Sequence, residues 1–387
     1  MNAQSLYDFS PLISLLLVGV LLALGPVAWV WLRHRHTSPL KKVQALRLLT
    51  LFLTFDLVLF GAFTRLTDSG LGCPDWPGCY GQSSPLGASD HIAAAQAALP
   101  SGPVTHAKAW IEMLHRYLAM GVGVLIVCLA ALSWRDWWHQ RKVARVPFPW
   151  LPTATLLWVC LQGAFGALTV TMKLFPAIVT LHLLGALGLL VLLCLPVARE
   201  AKTRATRPMT AGLRRWWGWA FAALLVQVAL GAWVSTNYAV LACSDFPTCQ
   251  GRWWPDMDFR QGFELWRPLG FTATGVHISF AALTAIHYAH RLMAGLAMVL
   301  LIALAWQLNR VKPWRVHSRV LAGLIGLQLA TGLSNVVLGW PLLAALLHTG
   351  GASALVLTLT WVVAGGQPQE TSSGLASRGQ PVVRAAV

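Results

Sequence analysis

Long apolar runs separated by short polar connectors dominate the chain. Nine such runs lie near 11–32, 46–66, 107–133, 150–172, 176–198, 216–236, 277–307, 319–339 and 341–363. Each is close to or beyond the ~20 residues an α-helix needs to cross a bilayer. The pattern predicts an all-α polytopic membrane protein. Its two longest connectors, 67–106 and 237–276, hold Trp76, Trp253, Trp254 and Trp266, which suit an interfacial belt. The tail from about Gly365 is rich in Gly, Pro, Ser and Gln and reads as disordered.

Composition agrees and excludes other classes. Of 387 residues, 56% are hydrophobic and 11% charged. A soluble domain averages roughly 25% charged residues, and disordered chains are poor in apolar ones. The net charge of +16 would suit nucleic acid if it were spread evenly. Instead 21 of the 29 basic residues fall in alternate connectors (33–47, 135–145, 199–215, 310–319) and the C-terminal tail. That asymmetry is the positive-inside rule, with the N-terminus outside and the C-terminus cytoplasmic. The basic balance is topology, and nucleic acid drops out. The first run lacks a small-residue cleavage site and reads as a retained helix. No Arg/Ser-rich presequence precedes it, which points to a bacterial inner membrane.

The chain also repeats itself. CPDWPGC (Cys73–Cys79) returns as CSDFPTC (Cys243–Cys249), and EMLHR (Glu112–Arg116) returns as HYAHR (His287–Arg291). The run from Gln162 to His182 returns from Gln328 to His348, with Gln and His 20 residues apart both times. The expected organisation is an extra N-terminal helix and basic loop (1–45), two four-helix bundles (46–200 and 201–364) and a tail (365–387). Both copies begin on the same side, so an axis along the membrane normal relates them.

Four histidines sit inside apolar runs, where ionisable side chains are costly and usually functional. His115, His182, His290 and His348 all fall in the first half of spans running from outside to inside, hence at similar depths. Two imidazoles facing each other across a bundle suit axial ligation of a haem iron. The bland reading is a hydrogen-bonded interior histidine, and copper or zinc is the other metal option. Glu112 lies three residues before His115 on the same helical face, where the second copy has His287. It marks the reactive half, or else orients a ligand or pairs with Arg116. Asp56 stands alone in its span. Arg65, Arg116 and Arg291 are candidate partners for haem propionates, with snorkelling as the alternative. Each loop cysteine pair can close a disulfide in an oxidising compartment. Cys243–Cys249 reads as a structural clasp, whereas Cys73–Cys79 is equally a clasp or a redox pair. Cys128, Cys160 and Cys194 read as packing residues. His34, His36, His139 and His317 belong to basic inner loops with a solvated or headgroup role, and His91, His106 and His277 lie near the outer loops.

Taken together, these motifs resemble the haem A synthase family. The resemblance covers roughly 46–363 and rests on GAFTRLTDSGLGCPDWPGC, the ExxHR of Glu112–Arg116, His182, the HR of His290–Arg291, and His348. It implies an eight-helix enzyme of two four-helix bundles. The C-terminal half would hold haem b on His290 and His348, and the N-terminal half would bind haem O between His115 and His182. There the C8 methyl would be oxidised to a formyl, giving haem A for terminal oxidases. Glu112 would be catalytic, haem b would relay electrons, and Cys73–Cys79 would match the family's first loop pair, for which a redox part has been considered. The implied partners are haem O, a haem O-producing farnesyltransferase, cytochrome oxidase assembly factors and an electron donor of the quinol class. The extra first helix and His287 depart from the family pattern. Competing readings are a di-haem b carrier linked to quinol, a quinone-linked thiol oxidase and a transporter. The first needs no Glu112, the second leaves four histidines unused, and the parallel halves count against the third.

Overall fold

The computed structural model describes residues 10–142, 147–201 and 209–365, so the expected tail lies outside them. Eleven α-helices follow in chain order: α1 (Ser10–Arg33), α2 (Pro39–Leu66), α3 (Ser89–Ala98), α4 (His106–Gln140), α5 (Trp150–Thr171), α6 (Pro176–Glu200), α7 (Ala211–Thr236), α8 (Phe259–Gly262), α9 (Phe280–Asn309), α10 (Arg315–Val337) and α11 (Leu342–Gly365). Among the described residues nine helices are long and apolar enough to span a membrane, and they coincide with the nine runs. The chain is an all-α polytopic membrane protein.

Helix ends run past the apolar runs because capping residues set them. Ser38 caps α2 with Pro39 at its first position, and the hydroxyls of Thr105, Thr210 and Ser279 accept from Lys108, Leu213 and Ala282 N–H at 3.2–3.3 Å. The short α3 in the first long connector was not expected. It buries Ile92 against a small cluster that includes both cysteines of that loop.

Contacts arrange the helices in two rings. α2 packs on α4, α4 on α5, α5 on α6, and α6 returns to α2. The repeat does the same: α7 packs on α9, α9 on α10, α10 on α11, and α11 returns to α7. The halves meet along α6–α7, α6–α11 and α2–α11. Leu190, Leu304, Leu308, Leu355 and Leu359 form a continuous apolar core there. The hydroxyls of Thr180 and Thr236 join α6 to α7 at 3.2 Å. α1 stands outside both rings, against α4 and α2. Gly19 lets its backbone approach closely, since a Cβ there would lie 2.8 Å from that of Met120.

Candidate functional site

Each intramembrane histidine faces a glycine on a neighbouring helix of its own ring. A Cβ on Gly61 (α2) would lie 2.9 Å from His115 Nε2, and one on Gly166 (α5) 3.5 Å from His182 Cε1. In the second ring a Cβ on Gly231 (α7) would lie 2.9 Å from His290 Cε1, and one on Gly332 (α10) 3.2 Å from His348 Cε1. The missing Cβ lets each imidazole sit close against the neighbouring helix. Phe60 stacks beside His115, ring centroids 6.3 Å apart. All four imidazoles are half-buried. His115 lies within electrostatic range of His182, and His290 of His348.

These residues fit a bis-imidazole haem. The buried Nδ1 atoms of His182 and His290 have no protein partner, nor have Oε1 of Gln162 and Gln227. Buried polar atoms are rarely left unpaired without a reason. His348 Nδ1 pairs with Thr331 Oγ1 at 2.9 Å, which fixes the tautomer and leaves Nε2 for a ligand bond. Gln227 Nε2 lies 3.3 Å from His290 Nε2. Among the described residues no group of three or more His, Cys, Asp or Glu can hold a bare metal ion. The glycines and Gln227 were missed from sequence, although the matched spacing of GAF at Gly61 and GAW at Gly231 carried the signal.

Above each histidine pair sits a cysteine loop, built the same way twice. Both disulfides are formed and all four cysteines are fully buried. Tyr80 and Gly81, and in the repeat Gln250 and Gly251, adopt left-handed backbone. This turns their N–H groups onto the Asp75 and Asp245 carboxylates at 2.6–3.0 Å. Trp76–Pro77 and Phe246–Pro247 are both cis.

The residues beside the histidines hold these loops. Arg116 donates to the carbonyls of Asp75, Pro77 and Gly78 and pairs with Glu112. Arg291 donates to the carbonyls of Thr248 and Cys243 at 2.9 and 3.0 Å. Both arginines, read as candidate propionate partners, anchor the loops, which fold back over the helix that carries them. Glu112 is buried, and its Oε2 accepts from Cys73 N–H at 2.8 Å. His287, its counterpart, is buried too and donates from Nδ1 to Ala239 O at 2.9 Å.

Arg65, the third candidate propionate partner, bridges the two halves. It pairs with Asp68 at 3.1 Å, donates to Ser235 O and lies 4.1 Å from the Tyr238 ring, so it ties the two halves together. Asp56 is exposed on α2 rather than turned inward. Cys194 is buried and Cys160 exposed. His317, expected in solvent, packs against Trp314 with centroids 5.2 Å apart. Burial depresses the pKa of Arg267 in the second loop, where its guanidinium meets Asn237 Oδ1 and Phe271 O. Sequence reading did not single it out.

Comparison with known proteins adds the rest. Residues 44–360 match the COX15-CtaA family, described as cytochrome oxidase assembly protein. A protein of Shewanella oneidensis named heme A synthase is 38% identical over 324 residues, which is 81% of this chain and 93% of that protein. Proteins of the same name from Halalkalibacterium halodurans (27% identical; 79% of this chain, 91% of that one) and Symbiobacterium thermophilum (29%; 80% and 91%) are also similar.

Proposed function

The chain belongs to the COX15-CtaA family of cytochrome oxidase assembly proteins, and on that premise we propose that it is a haem A synthase, a membrane oxidoreductase that converts the C8 methyl of haem O to a formyl group. The carrying observation is the duplicated imidazole pair, each ring opposite a glycine. The first half, residues 46–200, binds haem O between His115 and His182. The second, residues 201–364, holds haem b between His290 and His348 and relays electrons from a donor of the quinol class. Residues 1–45 and 365–387 flank them. The chain lies in a bacterial inner membrane with its disulfide loops outside and its C-terminus cytoplasmic, and takes haem O from a farnesyltransferase.

Bound haem iron supplies the redox chemistry. The chain's own residues do the rest. The two imidazoles fix the position and tilt of the macrocycle. Gly61 and Gly166 leave it room. The apolar ring of helices excludes water and strengthens each electrostatic contact inside. Glu112 sets a carboxylate one helical turn from His115, where it stabilises positive charge developing beside the macrocycle. His287 offers no such carboxylate, in keeping with an electron-transfer half.

The test is haem extraction. The chain is produced in cells making haem O, purified, and its haems are separated by chromatography. Haem A beside haem b is expected from the native chain, and haem b without haem A or haem O from His115→Ala. Extraction of haem b alone from the native chain would establish the di-haem carrier instead.

A further inference from the structure

We propose that the first half contains a built receptacle for the isoprenoid tail of its substrate. The proposal rests on the assignment of haem O to His115 and His182. In the lumen of the first ring, at the end away from the disulfide loops, lies an apolar cavity of about 120 Å³. All four helices of the ring line it: Arg47 of α2, Ile126, Ala130 and Ser133 of α4, Thr155 of α5 and Leu193 of α6. Arg47 pairs with Glu200 at its edge. Despite Arg47, Ser133 and Thr155, its wall is mostly apolar, a surface that takes hydrocarbon.

Its position matches a substituent hanging from the macrocycle. Ile126 and Leu193 each lie eleven residues beyond His115 and His182 on the same helices, or ~16 Å along the axis at the α-helical rise. The macrocycle covers part of that distance and a farnesyl chain spans the remainder.

The second half provides the control. With the repeats aligned on their histidines, glycines and glutamines, Arg47 corresponds to Trp217, Ser133 to Leu308, Thr155 to Leu321 and Pro196 to Val362. Leu308, Leu321 and Val362 are fully buried. The Trp217 indole of α7 donates to Leu359 O of the adjacent α11 at 2.9 Å. At this level Leu308 and Leu321 stand buried in place of Ser133 and Thr155 where haem b, which has no isoprenoid, is assigned, and the cavity lies where haem O, which has one, is assigned.

The purified full-length chain, with haem b retained in its second half, is titrated in detergent with haem O and separately with haem b. Uptake by the first half is identified as the part lost in His182→Ala. Native protein should prefer haem O by ~tenfold or more, because only its tail gains packing contacts with the cavity wall. Ser133→Leu combined with Thr155→Leu, which installs the second half's residues, should abolish that preference and leave the second-half haem b spectrum unchanged. A double variant that still prefers haem O overturns the proposal, as does native protein with no preference. A lipid acyl chain as the true occupant would give the former result. Haem O uptake that survives His182→Ala sinks the ligand assignment and this proposal with it. If the double variant loses the second-half spectrum through misfolding, Leu193→Ala decides. The enlarged cavity should raise affinity for a haem bearing a geranylgeranyl tail relative to haem O, and an unchanged ratio overturns the proposal.

Discussion

Glu112 has two separable jobs. Its carboxylate accepts from Cys73 N–H and pairs with Arg116, so it fastens the first disulfide loop to α4. Its charge also lies one turn from His115. Glu112→Ala removes both, leaving the Cys73 N–H without its acceptor and Arg116 with only its loop carbonyls, a loss of ~1–3 kcal/mol for the unpaired buried donor. Glu112→Gln keeps an acceptor for Cys73 N–H and removes only the charge. The expected outcome is a Tm for Glu112→Gln much closer to the native value than that of Glu112→Ala, with haem O accumulating in both. Native haem A yield from Glu112→Gln would reduce the residue to a loop anchor, the role His287 fills in the second half with no negative charge.

At the scale of an element, the second disulfide loop depends on one carboxylate. The Asp245 carboxyl is held below its ordinary value near 3.8 by the Thr248 hydroxyl and by the N–H groups of Gly251 and Gln250, against weak desolvation. A depressed folded pKa stabilises the loop at pH above the unfolded value, and the contribution disappears as pH falls through the folded value. Amide protection across residues 243–252, taken as the measured rate against the intrinsic rate at each pH and followed from about pH 6 to about pH 3, should therefore fall below ~4. In Asp245→Asn exchange should already be raised at neutral pH with no further acid step, and an acid step surviving that substitution would assign it elsewhere. The loop also marks the boundary of what the chain's pattern reveals. Its Cys, Asp, aromatic and Pro spacing announced a duplicated unit, and hydropathy located every span, because both are local properties. The loop contacts of Arg116 and Arg291 and the contact of Arg65 across the halves were not legible, because their partners are backbone carbonyls 38 to 170 residues away, reached only once the chain has folded. The histidine glycines were visible as letters, but the need for a missing Cβ arises only when two helices meet.

On the scale of the whole molecule, the halves differ most in α1. Its Leu15 is buried in a cluster with Cys73, Cys79, Met113 and Tyr117. A Cβ on Gly78 would lie 3.4 Å from Pro11 Cβ. α1 thus braces the back of α4, the helix that carries Glu112 and His115, and the loop above it. Among the described residues the second half has no such brace. Tyr117 is 9% exposed, but its counterpart Leu292 is 53% exposed, and Leu296 and Val299, which match Gly121 and Val124, are 53% and 64% exposed. Side chains large enough for lipid replace the small residue that admits a close helix contact. The brace therefore serves the half assigned to substrate, where the macrocycle must enter, react and leave while α4 keeps its register. Removing residues 1–37, which spares the Ser38 cap of α2, should leave the second-half haem b spectrum and its thermal transition intact. The same truncation should make the 73–79 loop susceptible to protease and shift the extracted haem from A towards O. Native haem A yield from the truncated chain would show that α4 holds its histidine and carboxylate unaided. Parallel loss of haem b would instead make α1 a support of the entire membrane domain.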